Sequence, residues 1–274
     1  MEERRTAAIL LLGDHPSEME DAADLGAHGK GLDIVSSYTL PKFGNALDGK
    51  ASRGFEAVIV GLGTGKDHIQ PDEKARNSLV SAMEAGKDII SCFSVDISKD
   101  EGLSSKARKA GVTITCPGHP TKRPPIAKLL DPLPCPVLLA YGKGSRRAML
   151  QAIEAARMGN VAWISTTAAG CMMGPSAGLK VEVVAGDFVS GAIEEMIRTV
   201  NGERRPSAII IECMGTLDDI ITSPVSIGIV HGSRATHMLK VQNVKKYAAL
   251  VGASLGKDIQ VIEPSMISEL IRRP

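Results

Sequence analysis

The chain has 274 residues, of which 43% are hydrophobic, 23% charged and only 3% aromatic. That balance excludes a disordered chain and requires a core filled by aliphatic side chains. With 32 basic and 31 acidic residues the net charge is +1, so the clustered basic excess of a nucleic-acid-binding surface is excluded as well.

The opening MEERRTAAILLLGD has charges in front of an apolar run that is brief and ends in Gly-Asp, which reads as a first strand rather than a signal peptide. Stretches such as TAAILLLG (6–13) fall far short of the ~20 apolar residues of a membrane span. EAVIVGLGTG (56–65) repeats the strand-then-turn pattern. ARNSLVSAMEAGKDIIS (75–91) reads as a helix stopped by Gly86 and followed by a strand, and LSSKARKAGVTITCPG (103–118) as a helix stopped by Gly111 and followed by another. Strands alternating with helices of this length predict βαβ units and a parallel sheet.

CPGHPTKRPPIAKLLDPLPCP (116–136) then places seven prolines in 21 residues. Proline removes a donor and fixes φ, so this stretch is neither an interior helix nor an interior strand, and it predicts the join between a domain of residues 1–125 and one of 126–274. Beyond it the alternation restarts. VLLAYGKGSRRAMLQAIEAARMG (137–159) reads as strand, glycine-rich turn and helix, and VAWISTTAAG (161–170) as strand and loop. VSGAIEEMIRTVNG (189–202) reads as a helix, and SAIIIECMGTL (207–217) as a strand ending at Glu212. SIGIVHGSRATHMLKV (226–241) reads as a strand, a tight turn and a second strand holding His237. Five cysteines (92, 116, 135, 171, 213) are scattered without a CxxC pair; this predicts free thiols, a reducing and hence cytoplasmic setting, and no metal site.

In open parallel sheets ligands bind beyond the carboxyl ends of the strands, so the polar residues after each apolar run are the candidates. In GLGTGK the closely spaced Gly61, Gly63 and Gly65 would let backbone amides approach an anion, with Lys66 adding charge; the alternative is a plain tight turn. YGKGSRRAM opens a helix with Gly142, Lys143, Gly144, Ser145, Arg146 and Arg147, where amides, hydroxyl and cations suit a phosphate. It is not a Walker A loop, which needs a longer loop and a Lys followed by Ser or Thr. Thr166 and Thr167 would donate to a ligand or cap a loop. Glu212, after four apolar residues, would be a general base, the partner of Arg234, or a turn acid. In HGSR, His231 and Ser233 lack the G-x-S-x-G elbow of a serine nucleophile and read as a ligand pocket wall or a structural turn.

The order of these segments resembles a family of two-domain α/β proteins long catalogued as of unknown function, some of which are D-glutamate N-acetyltransferases found beside dipeptide epimerases. The resemblance runs from about residue 55 to 240. VGLGTGKDHIQPDEKARNSLVSAMEAGKDIIS and TKRPP (121–125) are similar to the family's first domain and its exit. GDFVSGAIEEMI carries over Asp187, Phe188, Gly191, Ala192 and Glu194; IECMGTL carries over Glu212 and Gly215; VSIGIVHGSR carries over Gly228, His231, Gly232 and Ser233 and is the most specific match. The resemblance implies a Rossmann-like N-terminal domain and a P-loop-like C-terminal domain, both with mainly parallel sheets. It implies acyl-CoA-dependent N-acyl transfer to a D-glutamate-like amino acid, with acetyl-CoA as co-substrate. On that reading Glu212 or His231 acts as base, Arg234 pairs the substrate carboxylate, and Ser233, Thr166, Thr167 and Asp187 complete the substrate side. Three loops depart from the family pattern. The Gly-Thr-Asp-Cys loop has become YGKGSRRAM, the Thr-Gly-Gln-Thr-Gly loop TAAGC, and the Glu-Gly-Gln-Gly segment Glu212-Cys213-Met214-Gly215. Two alternatives therefore stand beside the acyltransferase: an ATP-dependent P-loop-like kinase or ligase, and a non-catalytic subunit in an oligomer with itself or with a homologue.

Overall fold

A computed structural model describes residues 4–13, 16–29, 31–63, 68–93, 95–117, 135–141, 145–155, 160–165, 172, 180–183, 205–213, 237–239, 260–263, 266 and 269. The chain forms two compact units, one of residues 1–120 with 167–174 and one of residues 121–166 with 175–274.

The first unit runs β1 (Arg5–Leu11), α1 (Pro16–His28), β2 (Leu32–Thr39), α2 (Leu40–Asp48), β3 (Ala57–Val60), α3 (Glu73–Glu84), β4 (Asp88–Ser91), α4 (Glu101–Ala110) and β5 (Ile114–Thr115). Its five strands are all parallel, in the order β2-β1-β3-β4-β5. Strands β1 and β3 lie inside the sheet, so both their faces are covered and nearly every residue is apolar and buried, as in Ala-Ala-Ile-Leu-Leu and Ala-Val-Ile-Val. Ala8, Leu10, Val58 and Val60 meet Phe43, Phe55, Leu79, Met83, Phe93 and Leu103 in one cluster. Two of the chain's four phenylalanines sit beside Tyr38, with ring centroids 6.2 Å and 6.3 Å away. These three rings fill volume beside the sheet that aliphatic side chains would leave open.

The helices stop and start where side-chain chemistry dictates. Asp72 accepts from the Ala75 amide at the start of α3, and Asp100 from the Leu103 amide at the start of α4. Gly86 follows α3 with φ 75°, and Gly111 closes α4 with φ 70°, the left-handed stops expected from the sequence. The exposed edge is broken by a bulge in β2: Ala7 faces Ile34 and Ala8 faces Ser36, so Val35 has no partner and projects outward at 49% exposure. A bulge on an edge strand discourages pairing with another chain.

The second unit runs β6 (Val137–Tyr141), α5 (Ser145–Ala155), β7 (Val161–Ser165), β8 (Lys180–Val183), β9 (Ala208–Cys213), β10 (His237–Leu239) and β11 (Gln260–Ile262). The order is β11-β10-β6-β9-β7-β8, again with every pairing parallel. Both α/β units with parallel sheets agree with the alternation read in the sequence. Among the described residues no helix is long and apolar enough to cross a membrane.

Candidate functional site

In the second unit the central strands β6, β9 and β7 lie side by side. Glu212 is one residue before the end of β9, in register with Ala140 of β6 and Ser165 of β7. Because all three strands are parallel, their carboxyl ends share one edge. Helix α5 begins at Ser145, four residues after β6 ends, and its first turn carries no acidic residue. Arg146 is buried and Arg147 half-buried there. A helix start directed at the end of a parallel strand has amides and a partial positive charge to offer an anion, and arginines add to it. The chain leaves β6 toward β7 on one side, and reaches β10 on the other side only later. The carboxyl end of β6 is therefore the point where the strand order reverses, the usual seat of a ligand in such sheets.

The topology thus places Glu212 near the carboxyl end of β9, and Ser145, Arg146 and Arg147 at the start of the helix that follows the adjacent strand β6. Gly142, Lys143, Gly144, Thr166, Thr167, Asp187, His231, Ser233 and Arg234 lie outside the described residues, as do Gly65 and Lys66. His237 opens β10, as its reading as a strand residue requires.

In the first unit the strand order reverses between β1 and β3. The loop amides there are engaged by side chains of α1, a helix the sequence reading did not assign. The Glu18 carboxylate accepts from the amides of Leu12 at 2.7 Å and Gly13 at 3.0 Å, and Asp21 accepts from the Gly63 amide at 2.8 Å. Both acids are fully buried. Gly61 and Gly63 take φ of 79° and 92°. A Cβ on Gly61 would come within 2.7 Å of the Phe93 amide nitrogen, and one on Gly63 within 3.0 Å of Nε2 of the buried His68. The space that glycine leaves at both positions is filled by the protein's own atoms.

Two further polar groups lie after β4 and β5. Burial works against the Asp96 carboxylate. Hydrogen bonds from the Ser98 hydroxyl, the Cys116 thiol, Lys99 and the Ser98 amide outweigh it and bring the carboxyl down to about 2. The Cys116 thiol is pushed up, by burial first and then by the adjacent Asp96, and burial takes Cys135 up to about 11. Thiols held protonated in this way are poor nucleophiles. Cys116 and Cys135 are free thiols, and Cys92 donates to the Met172 sulfur at 3.2 Å. Among the described residues no group of three or more His, Cys, Asp or Glu is placed to hold a metal ion.

Two all-parallel α/β units, the second with a helix start seated behind its central strand, define a two-domain protein that joins a Rossmann-like unit to a P-loop unit. Residues 25–115 match the model described as Domain of unknown function (DUF1611_N) Rossmann-like domain, and residues 139–250 the one described as Domain of unknown function (DUF1611_C) P-loop domain. The chain belongs to the DUF1611 family. Its fold is similar to that of a DUF1611 family protein from Anabaena variabilis, with a TM-score of 0.61 at 14% identity over 94% of this chain and 86% of that one. PH0766 from Pyrococcus horikoshii is also 14% identical, over 95% of this chain and 57% of that one, but a TM-score of 0.32 is too low to speak to the fold. No curated protein matches the chain.

Proposed function

We propose that the chain is an acyl-CoA-dependent N-acyltransferase acting on a D-glutamate-like amino acid, with acetyl-CoA as its co-substrate. The observation that supports this reading is the placement of Glu212 and the start of α5 at one edge of the adjacent strands β9 and β6. The α5 start and its arginines suit the phosphates of the CoA moiety. An amino acid's amine is mostly protonated at neutral pH and attacks only after losing that proton, so the site needs a base beside the phosphate-holding end. Glu212 fills that role. Glu212 takes the ammonium proton and passes it to solvent; the freed amine forms the new nitrogen–carbon bond to the acyl carbon, the carbon–sulfur bond breaks, and the leaving thiolate takes up the second proton, which the new amide nitrogen sheds. His231 is the second candidate base, Arg234 offers a planar fork to the substrate carboxylate, and Ser233, Thr166, Thr167 and Asp187 form the substrate side. Five cysteines scattered without a CxxC pair support a cytoplasmic setting.

The test is turnover of acetyl-CoA with acidic D-amino acids by the purified chain and by Glu212→Gln. The variant is expected to lose about 100-fold or more in kcat, the range of general acid–base effects. Turnover unchanged in Glu212→Gln and in His231→Ala would sink the assignment. The P-loop fold of the second unit favours the kinase or ligase reading, which magnesium-dependent ATP binding would support. The altered loop residues favour a non-catalytic subunit, which copurification with an intact homologue would support and turnover by the homogeneous chain would exclude.

A further inference from the structure

The first unit has the sheet order in which a nucleotide phosphate ordinarily sits at the reversal point, on amides of the loops after the first and third strands of the unit. Here, among the described residues, the Leu12, Gly13 and Gly63 amides have acceptors from within the chain. We propose that the first unit's switch point is an internally filled anion site, in which the Glu18 and Asp21 carboxylates stand where a nucleotide phosphate would bind, so that phosphate recognition is confined to the second unit.

Four observations carry this. Glu18 lies in the first turn of α1 and takes both the Leu12 and the Gly13 amide, which bridge β1 to that helix. Asp21, one helical turn on, takes the Gly63 amide after β3. The two carboxylates therefore bind both loops that flank the reversal point. Both are fully buried, and a buried carboxylate is tolerable only where donors such as these amides satisfy it. Finally, the space on the Cβ side of Gly61 and Gly63 is taken by Phe93 and by His68, so it is not left for a ligand atom. An incoming phosphate would have to displace bonded carboxylates and would meet their negative charge. The second unit shows the opposite charge at the equivalent place: the first turn of α5 carries Arg146 and Arg147 and no acid. On this assignment Gly61 and Gly63 serve close packing, and α1 is a built-in ligand for its own loops.

The test uses the full chain labelled with 15N-glycine, in which Gly13 and Gly63 report their own amides whatever happens in the second unit. Addition of NAD or of inorganic phosphate to the unaltered chain is expected to leave both resonances in place, and both amides are expected to exchange slowly with deuterium. Movement of either resonance on adding NAD or phosphate, or exchange at the rate of an open loop, would overturn the proposal. In Glu18→Ala the Gly13 resonance is expected to respond to inorganic phosphate. A folded variant that stays silent at Gly13 would also count against it. If that substitution prevents folding, the measurements on the unaltered chain decide. The outcome is separable from the acyltransferase reading, because loss of activity in Glu212 variants leaves Gly13 and Gly63 untouched.

Discussion

Gly61 and Gly86 share a left-handed backbone, with φ of 79° and 75°, but their surroundings differ. Nothing lies within 4 Å of a Cβ built on Gly86, whereas one on Gly61 would meet backbone and ring atoms of Phe93 below 3.0 Å. Gly86→Ala should therefore cost only the left-handed strain, about 1 kcal/mol. Gly61→Ala adds overpacking against a fixed backbone and should cost more than about 3 kcal/mol. Denaturant midpoints of the two variants, at unchanged slope, check this; equal losses would mean that Phe93 yields freely. Asp96 offers a pH test at the same scale. Its folded carboxyl lies at about 2 against an ordinary 3.8, so folding favours the charged form. That contribution is fully present above about pH 4 and fades as pH falls through 2. Asp96→Asn should therefore be less stable than the parent at neutral pH, with the gap closing between about pH 4 and 2. A gap that stays constant across that interval would show that the loss is not electrostatic.

At the scale of elements, some were legible in the sequence and others were not, and the difference is physical. α3 and α4 declared themselves by glycine stops, and β1, β3, β6, β7 and β9 by short continuous apolar runs, because both faces of an interior parallel strand are covered. α1 gave no such signal. Its inward face carries Glu18, Asp21, Asp24 and His28 among the buried residues, alongside Ala22 and Leu25. Acids at helical spacing erase the apolar stripe on which pattern reading depends. Two of the residues that make α1 unreadable, Glu18 and Asp21, are the ones that bind the loop amides, so the local conflict with patterning coincides with a polar role. β2 was obscured for another reason: it is an edge strand, partly exposed throughout and interrupted by the Val35 bulge. Of the candidate site, Glu212 near a strand end and the Ser145 helix start were legible because each follows an apolar run. Their adjacency was not, since no local pattern says that β9 inserts between β6 and β7.

At the scale of the whole molecule, the chain contains two reversal points with opposite chemistry. Acids fill the one between β1 and β3, while the end of β6 is followed by a helix start with arginines. If the acyltransferase reading holds, binding and chemistry should separate by strand. Arg147 lies in the first turn of α5 and is half-buried, so it can reach an anion while remaining tied to the helix. Arg147→Ala removes a charge that holds the phosphates equally in ground and transition state. It should raise KM for acetyl-CoA about tenfold with kcat nearly unchanged, the signature of lost uniform binding. Salt should mimic it, since a partly exposed charge is screened. Glu212→Gln should do the reverse, lowering kcat with KM for acetyl-CoA preserved. Steady-state kinetics with acetyl-CoA varied at fixed amino acid reads both quantities at once. A fall in kcat in Arg147→Ala without a change in KM would place the CoA phosphates away from α5 and return the phosphate site to another part of the second unit.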